Sequence, residues 1–292
     1  MKIKLPQGVR MGNINDDFTG VTAIIFDQGA ICGCDVRGGA PGTRETALLD
    51  SHKANEHVDA VVLCGGSAYG LLSTCGVMRA LKEQGKGVSV LDKIVPIVCG
   101  AVIYDLNDKE YHFPTEEMGY AAAVNASDVA QSGKIGAGKG ATVGKILGFA
   151  NCSQSGLGVG KVTVDGAEVI AIMVVNAFGD VRRDGKILSG ARLGDGFADT
   201  LQLLGGNVPD GMGANTTIGC IITDVKLTKV QANKLASIAH NGLARTVCPV
   251  HTDLDGDTVF CASVGEKQVD LIKLQVACVA AVEAAVLDAV QL

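Results

Sequence analysis

The stretch Gly213-Ala214-Asn215-Thr216-Thr217-Ile218 leads from a polar turn into an apolar strand, which we predict over residues 218–223. Asn favours turns and Thr favours strands, so the ordinary interpretation is the beginning of a buried strand. A second interpretation is chemical. If the backbone were cut before Thr216, this residue would carry a nucleophilic hydroxyl together with a free α-amino group that acts as its base. The six residues alone fit both interpretations.

Strands and helices alternate on both sides of this stretch. Downstream we predict a helix over residues 228–244, a strand over 258–264 and a final apolar helix over 268–292. Upstream we predict a hairpin over 20–36, strands over 60–64, 94–104, 156–164 and 169–175, and helices over 68–84 and 118–131. Because the last helix is apolar around most of its circumference, other elements should cover it on several sides. The pattern favours an α/β fold with layered αββα packing.

Composition narrows the class of protein. The 292-residue chain is 47% hydrophobic and 19% charged, which is typical of a globular protein with a substantial core. Its formal charge is −6 and it has no basic run, so we expect neither a nucleic-acid nor a membrane partner. The N-terminus lacks a signal-peptide pattern, and we predict a cytoplasmic protein. The apolar last helix predicts a homo-oligomer, with a tetramer as one form.

The cysteines and histidines show no metal-binding pattern. Most of the ten cysteines lie within apolar runs, as Cys64 and Cys220 do, which is typical of buried free thiols. Cys32 and Cys34 have no second pair at zinc-like spacing, and the five histidines form no His-x-x-x-His set. We therefore expect no metal and no other cofactor.

A glycine-rich loop is a second candidate for a functional motif. Residues Gly133-Lys134-Ile135-Gly136-Ala137-Gly138-Lys139-Gly140 match most of the nucleotide-binding pattern G-x-x-x-x-G-K-[ST]. The last position is Gly140, which lacks the hydroxyl that holds magnesium, and no clear strand precedes Gly133. We therefore favour a structural loop whose backbone amides line a cavity.

Other polar positions could assist a threonine nucleophile. Asn176 follows a predicted strand and could direct its amide at an oxyanion, although Asn is also common in turns. Asp255 and Asp257 belong to a turn pattern, and their carboxylates could orient the threonine amine or hydroxyl. Tyr104, at the end of an apolar segment, is either a packed ring or a phenolic donor. Spacing does not decide among these alternatives.

Several motifs in a fixed order resemble the L-aminopeptidase/D-esterase (DmpA) family, which includes β-aminopeptidases. The central motif is Asn215-Thr216-Thr217-Ile218, followed by residues 222–224 and 242–246. The other matching motifs are Thr19-Gly20-Val21-Thr22, Gly65-Gly66-Ser67-Ala68-Tyr69-Gly70-Leu71, Gly136-Ala137-Gly138-Lys139-Gly140-Ala141-Thr142-Val143-Gly144, Ser155-Gly156-Leu157-Gly158 and Asp255-Gly256-Asp257-Thr258. The resemblance runs through most of the chain.

The resemblance implies a four-layer αββα sandwich like that of the DmpA and ornithine acetyltransferase groups. It also implies a single domain, 1–292, that cuts itself between Asn215 and Thr216. The resulting pieces would be 1–215 and 216–292, and they would stay associated. Thr217 is the alternative nucleophile in this register, but counting back from Thr223 and Asp224 favours Thr216.

The resemblance further implies roles for single residues. Thr216 would be the nucleophile and Asn176 the oxyanion donor. Tyr104 would be an active-site tyrosine and Asp257 an active-site acid. Asp255 stands where the serine-type members have Ser, so their hydrogen-bond relay and substrate preference do not transfer.

We therefore expect a hydrolase that removes an N-terminal residue from small peptides, amides or esters. One alternative is an acyltransferase that uses the same threonine chemistry. The other is a non-catalytic homologue that binds a small molecule.

Overall fold

The structure of the protein is a computed structural model that describes residues 1–106, 111–205 and 214–291. Gly213, which begins the stretch quoted above, and Leu292, which ends the predicted last helix, lie outside the described residues.

The secondary structure is mixed and alternates along the chain. The strands are β1 (Lys2–Lys4), β2 (Val9–Asn15), β3 (Gly20–Val36), β4 (Thr43–Arg44), β5 (His57–Cys64), β6 (Val88–Val90), β7 (Lys93–Val95), β8 (Val98–Val102), β9 (Val129–Gln131), β10 (Thr142–Val143), β11 (Ser153–Gln154), β12 (Leu157–Val164), β13 (Ala167–Asn176), β14 (Asp180–Arg183), β15 (Lys186–Ser189), β16 (Arg192–Leu193), β17 (Gly196–Phe197), β18 (Thr216–Val225), β19 (Val247–Cys248) and β20 (Thr258–Lys267). The α-helices are α1 (Ser67–Gly70), α2 (Ser73–Glu83), α3 (Glu116–Val124), α4 (Thr200–Leu203), α5 (Lys229–Thr246) and α6 (Leu271–Asp288).

One large sheet carries the fold. Its strand order is β12-β13-β18-β20-β3-β5-β8-β4, with β2 also paired to β3. The 17-residue strand β3 belongs to both halves of this sheet, because its first part pairs with β2 and β5 and its last part pairs with β20. A register irregularity between Ile25 and Ala30 interrupts its pairing with β5. The predicted hairpin over residues 20–36 is therefore wrong, since this segment continues as one strand instead of reversing.

Buried apolar clusters separate four layers. Helices α5 and α6 pack on the half of the sheet that contains β13, β18 and β20, where Val259 and Ile221 are buried. Helices α2 and α3 pack on the half that contains β3, β5 and β8. A central cluster, with Phe26 and Phe260 among its members, joins the opposite faces of both halves. The predicted four-layer αββα fold is confirmed, with the refinement that β3 joins the two sheet layers.

Local chemistry explains where several elements begin and end. The predicted strand over residues 94–104 is split into β7 and β8, and Pro96, which has no backbone N–H, lies between them. The helix predicted over 118–131 extends too far. Helix α3 ends at Val124, and the short strand β9 follows it. Helix α5 begins with a capping box in which Thr228 and Gln231 each bind the other's backbone N–H.

The structure bears on three further expectations, which concern membranes, the cysteines and the oligomer. None of the helices in the described part of the chain is both long and apolar enough to cross a membrane. All ten cysteines are free thiols. Helix α6 leaves Ile272 and Val276 exposed, at 71% and 66%. The homo-oligomer stays a prediction, and this apolar face is consistent with it.

Small residues on β12 set the distance between the sheet and α6. Gly158 and Gly160 face the helix, and a Cβ atom at Gly158 would lie 1.9 Å from the backbone oxygen of Ala285. Only glycine therefore allows this close contact of strand and helix.

We predict that Gly158→Val destabilises the protein by about 2–4 kcal/mol, because the side chain must displace the backbone of α6. Urea unfolding followed by circular dichroism measures this change. Gly196→Ala is the matched control, since a Cβ atom at Gly196 meets nothing within 4 Å. Equal stability of the two variants would contradict the packing argument.

Candidate active site

Thr216 begins β18 in the interior of the sheet, and its side chain is buried. On one side β18 pairs antiparallel with β13, and this register places Asn176 opposite Thr216. On the other side β18 runs parallel to β20, and an isolated bridge joins Asn215 to Asp255. Strand pairing thus brings together residues that lie 40 or more positions apart in the sequence.

The peptide bond before Thr216 lies within reach of the Thr216 hydroxyl, which donates a hydrogen bond to the carbonyl oxygen of Asn215. The same oxygen accepts a hydrogen bond from the backbone N–H of Gly256, at 2.9 Å. A donor in this position polarises the carbonyl and would stabilise negative charge developing on its oxygen. A hydroxyl group, a carbonyl group and a backbone N–H donor are therefore assembled around the peptide bond between Asn215 and Thr216.

Lys145 is a buried member of the site that sequence reasoning missed. Its Nζ donates to the backbone oxygen and to Oδ1 of Asn176, at 2.8 and 2.9 Å, and to the backbone oxygen of Ala214, at 3.1 Å. Burial lowers the pKa of Lys145 to about 7, against the opposing influence of Cys152 and of nearby aspartates. The signal in the sequence is a lone lysine between the apolar residues Val143 and Ile146, directly after a motif of the family resemblance.

Asn176 is fully buried and its amide is fully engaged. Its Nδ2 donates to the backbone oxygen of Tyr104 at 2.9 Å and, at a longer 3.5 Å, to that of Ala214. Its Oδ1 accepts from Lys145 and from the backbone N–H of Thr142, at 3.1 Å. These partners fix the orientation of the amide, so that its N–H group points toward the segment before Thr216.

Tyr104 contacts this network through its backbone. The carbonyl of Tyr104, and not its phenol, binds Asn176. The ring stacks on Phe149, with a centroid separation of 6.5 Å. The structure thus places Tyr104 beside Asn176 with its ring packed, and the phenolic role stays a prediction.

Asp255 and Asp257 approach the threonine from the loop before β20. Asp257 Oδ1 accepts from the backbone N–H of Thr217 at 2.6 Å, and its Oδ2 accepts from the backbone of His251 and contacts the His251 ring nitrogen Nδ1 at 2.8 Å. Asp255 accepts from the Thr252 hydroxyl at 2.6 Å and from the backbone N–H of Phe178. Both carboxylates therefore hold backbone around the candidate scissile bond.

Burial raises the pKa of Asp255 to about 6, and the charge of Asp257 adds to this shift. With Lys145 titrating near 7, the site contains two groups whose protonation changes close to neutrality. Such values are suited to proton transfer at physiological pH, because each group can both accept and release a proton.

A glycine-rich segment that the sequence analysis did not single out supports the acidic loop. The backbone N–H of Ala40 binds the carbonyl of Asp255 at 2.8 Å, and that of Arg37 binds the carbonyl of Asp257 at 2.9 Å. The detectable signal is the run Gly38-Gly39-Ala40-Pro41-Gly42, which suggests a close backbone approach.

Comparisons with known proteins show similarity over most of the chain. The model of peptidase family S58 matches residues 7–292. The chain is 43% identical over 263 residues to an uncharacterized aminopeptidase of Mycobacterium leprae, a match that covers 84% of this chain and 71% of that protein. It is 31% identical over 277 residues to a 6-aminohexanoate-oligomer endohydrolase of a Kocuria species, covering 89% of this chain and 74% of that protein.

The fold also matches a solved structure. The L-aminopeptidase D-Ala-esterase/amidase of Ochrobactrum anthropi, described as a new variant of the Ntn hydrolase fold, superimposes with a TM-score of 0.74 at 19% identity. The match covers 98% of this chain and 86% of that one. The expected resemblance is confirmed, and the chain belongs to peptidase family S58, the DmpA family of aminopeptidases.

Proposed function

We propose that this protein is a self-processing aminopeptidase-like hydrolase in which Thr216 first cleaves its own chain and then serves as the nucleophile toward small peptides, amides or esters. The observation that carries the proposal is the hydrogen bond from the Thr216 hydroxyl to the Asn215 carbonyl oxygen, inside a buried polar site. Membership of a peptidase family supports amide hydrolysis as the reaction.

In maturation, Oγ of Thr216 attacks the carbonyl carbon of Asn215, and the developing oxyanion faces the backbone N–H of Gly256. Lys145, whose Nζ contacts the backbone oxygen of Ala214 at 3.1 Å, accepts the hydroxyl proton in its neutral form. As the C–N bond breaks, the Lys145 ammonium returns this proton to the nitrogen of Thr216, and residue 215 is held as an ester on Oγ. Water hydrolyses this ester, which gives the pieces 1–215 and 216–292 and a free Thr216 amine.

In turnover, the new α-amino group accepts the proton of its own hydroxyl as Oγ attacks the substrate carbonyl. The Asn176 amide, which in the uncut chain also reaches the Ala214 carbonyl, then faces the substrate oxyanion. The amine or alcohol of the substrate leaves with a proton, and water hydrolyses the acyl-enzyme. The alternative acyltransferase would pass the acyl group to an amine, so release of free acid in the presence of added amines supports the hydrolase.

We predict that intact mass spectrometry finds pieces 1–215 and 216–292 in the purified wild type and one full-length chain in Thr216→Ala, because the variant lacks the attacking oxygen. Thr216→Ser should still cleave. The matched control is Thr217→Val, which removes the neighbouring buried hydroxyl and should leave cleavage intact. A folded but uncut Thr217→Val would assign the nucleophile to Thr217 and refute the proposal.

The rate of self-cleavage should rise with pH and reach half of its maximum near pH 7. Lys145 is charged below its pKa of about 7 and accepts a proton only above it. Pulse-chase synthesis of the precursor in a cell-free system, buffered from pH 5.5 to 8.5, measures this rate. Lys145→Met should slow cleavage about 100-fold or more, a loss in the usual range for a general base.

Lys229→Met is the matched control for Lys145→Met. Lys229 is a second buried lysine, and its Nζ donates to the backbone oxygens of Leu48, Lys53 and Asn55 at 2.7–3.0 Å. Circular dichroism verifies the folding of both variants. Equal rates of cleavage in the two folded variants would exclude a specific role for Lys145.

We predict that Asn176→Ala lowers kcat about 100- to 1,000-fold on a chromogenic amino-acid anilide, since the variant lacks an oxyanion donor. To separate turnover from maturation, residues 1–215 and 216–292 are produced as two chains in one cell, with Thr216 exposed by removal of the initiator Met. Asn241→Ala, at an exposed position of α5, is the control. An unchanged kcat in the folded Asn176→Ala enzyme would remove Asn176 from the mechanism.

A further inference from the structure

A cleft of about 520 Å³ opens beside the candidate active site. Phe18, Asp105 and Phe149 are among the residues that line it. Lys134 and Lys139 line it as well, and both come from the glycine-rich loop that resembles a nucleotide-binding motif. A cleft of this volume can hold a short peptide.

Two contacts connect the cleft to the nucleophile. Thr142, which also lines the cleft, donates its backbone N–H to Oδ1 of Asn176 at 3.1 Å, and Asn176 lies opposite Thr216 in the strand register. Phe149, which also lines the cleft, stacks on Tyr104. Thr142 and Phe149 thus connect the wall of the cleft to Asn176 and Tyr104 of the candidate site.

The loop that carries the lysines is fixed in place. The backbone N–H groups of Gly136 and Ala137 donate to side chains of Asn15 and Thr22, each at 3.1 Å. Gly140 packs so closely that a Cβ atom there would lie 2.5 Å from Asp105 Oδ2. The backbone of this loop therefore loses little conformational entropy when a ligand binds.

The geometry of the loop does not suit a nucleotide. The strand before it, β9, has three residues, and the turn that follows, Gly136–Gly138, is a 3-10 turn of three residues. A phosphate-binding loop of the P-loop type needs a full helix after the glycines. The loop and its two lysines therefore do not form a nucleotide site of the P-loop type.

Lys134 and Lys139 are the two cations that line the cleft. No ion pair joins either lysine to another of the described residues, and Nζ of Lys134 donates to the neutral Oε1 of Gln154. Burial lowers the pKa of Lys134, and electrostatic repulsion by Lys139 lowers it further. Two neighbouring cations of this kind favour an anionic ligand.

Two acids, Asp17 and Asp105, also line the cleft, and among the described residues neither forms an ion pair with Lys134 or Lys139. Asp105 Oδ1 accepts the backbone N–H of Gly66 at 2.6 Å, and its Oδ2 lies behind Gly140. Burial raises the pKa of Asp105 to about 6. Asp17 is exposed to solvent.

We propose that Lys134 and Lys139 bind the free C-terminal carboxylate of a short peptide substrate, so that the cleft selects peptides over the corresponding amides. This inference rests on the proposed function for its orientation of the substrate. The carboxylate recognition itself is a binding property and does not depend on turnover.

The first test measures binding without catalysis. L-alanine and L-alaninamide, which represent the carboxylate and amide forms of the residue in the cleft, are titrated into Thr216→Ala at constant ionic strength and followed by NMR. L-alanine should bind about tenfold more tightly than the amide, the difference expected for one charge-assisted contact. Lys139→Met in the same background should reduce the difference to about twofold or less, and Lys186→Met, at an exposed lysine elsewhere, should preserve it. Equal binding of the two probes, or no binding of either, overturns the inference.

The second test measures specificity in the processed enzyme. The ratio of kcat/KM for L-alanyl-L-alanine to that for its C-terminal amide should fall about tenfold in Lys139→Met, while Lys186→Met leaves the ratio unchanged. An unaltered ratio in Lys139→Met also overturns the inference. A protein that passes the binding test but neither cuts itself nor hydrolyses either peptide would instead contradict the proposed function.

Discussion

The position of β18 between β13 and β20 is the constraint on which the rest of the structure depends. One neighbour is antiparallel and the other parallel, so the beginning of β18 lies beside the end of β13 and the beginning of β20. These strand ends carry the polar residues Asn176 and Asp257, while the strand interiors are apolar and buried. The register of the sheet thus places Thr216 among polar groups and holds it there through the buried core. A one-residue slip would turn every side chain of β18 to the opposite face.

The polar site is costly to bury, and its hydrogen bonds offset that cost. Lys145 has three oxygen partners, and Asp257 binds the backbone N–H groups of Thr217 and His251. Burial nevertheless raises the pKa of Asp255 and lowers that of Lys145 toward neutrality. The same desolvation that works against folding therefore creates groups able to exchange protons near pH 7. Desolvation of Lys145 and Asp255 thus lowers the stability of the fold and at the same time brings their pKa values toward neutrality.

The glycine-rich segments bring backbone close to the site from outside the central strands. Residues 37–40 bind the backbone of the acidic loop, and residues 136–142 bind Asn15, Thr22 and Asn176. Because the loop that contains this second segment, residues 133–142, also carries Lys134 and Lys139, it connects Asn176 to the wall of the neighbouring cleft. The loop therefore has a structural role, as the sequence predicts, and its lysines provide the positive charge of that cleft.

The sequence by itself determined the layered α/β class, the position of β18 and the candidate residues Thr216, Asn176, Asp255 and Asp257, because periodicity, turn chemistry and ordered motifs are local properties. It missed Lys145 and the segment around Ala40, since their importance depends on partners distant in the chain. It also predicted a hairpin where β3 is one strand that joins both layers, because pairing with β5 and β20 overrides the local turn pattern. Only the tertiary structure decided which polar groups are buried together, and burial beside particular neighbours is what sets their hydrogen bonds and pKa values.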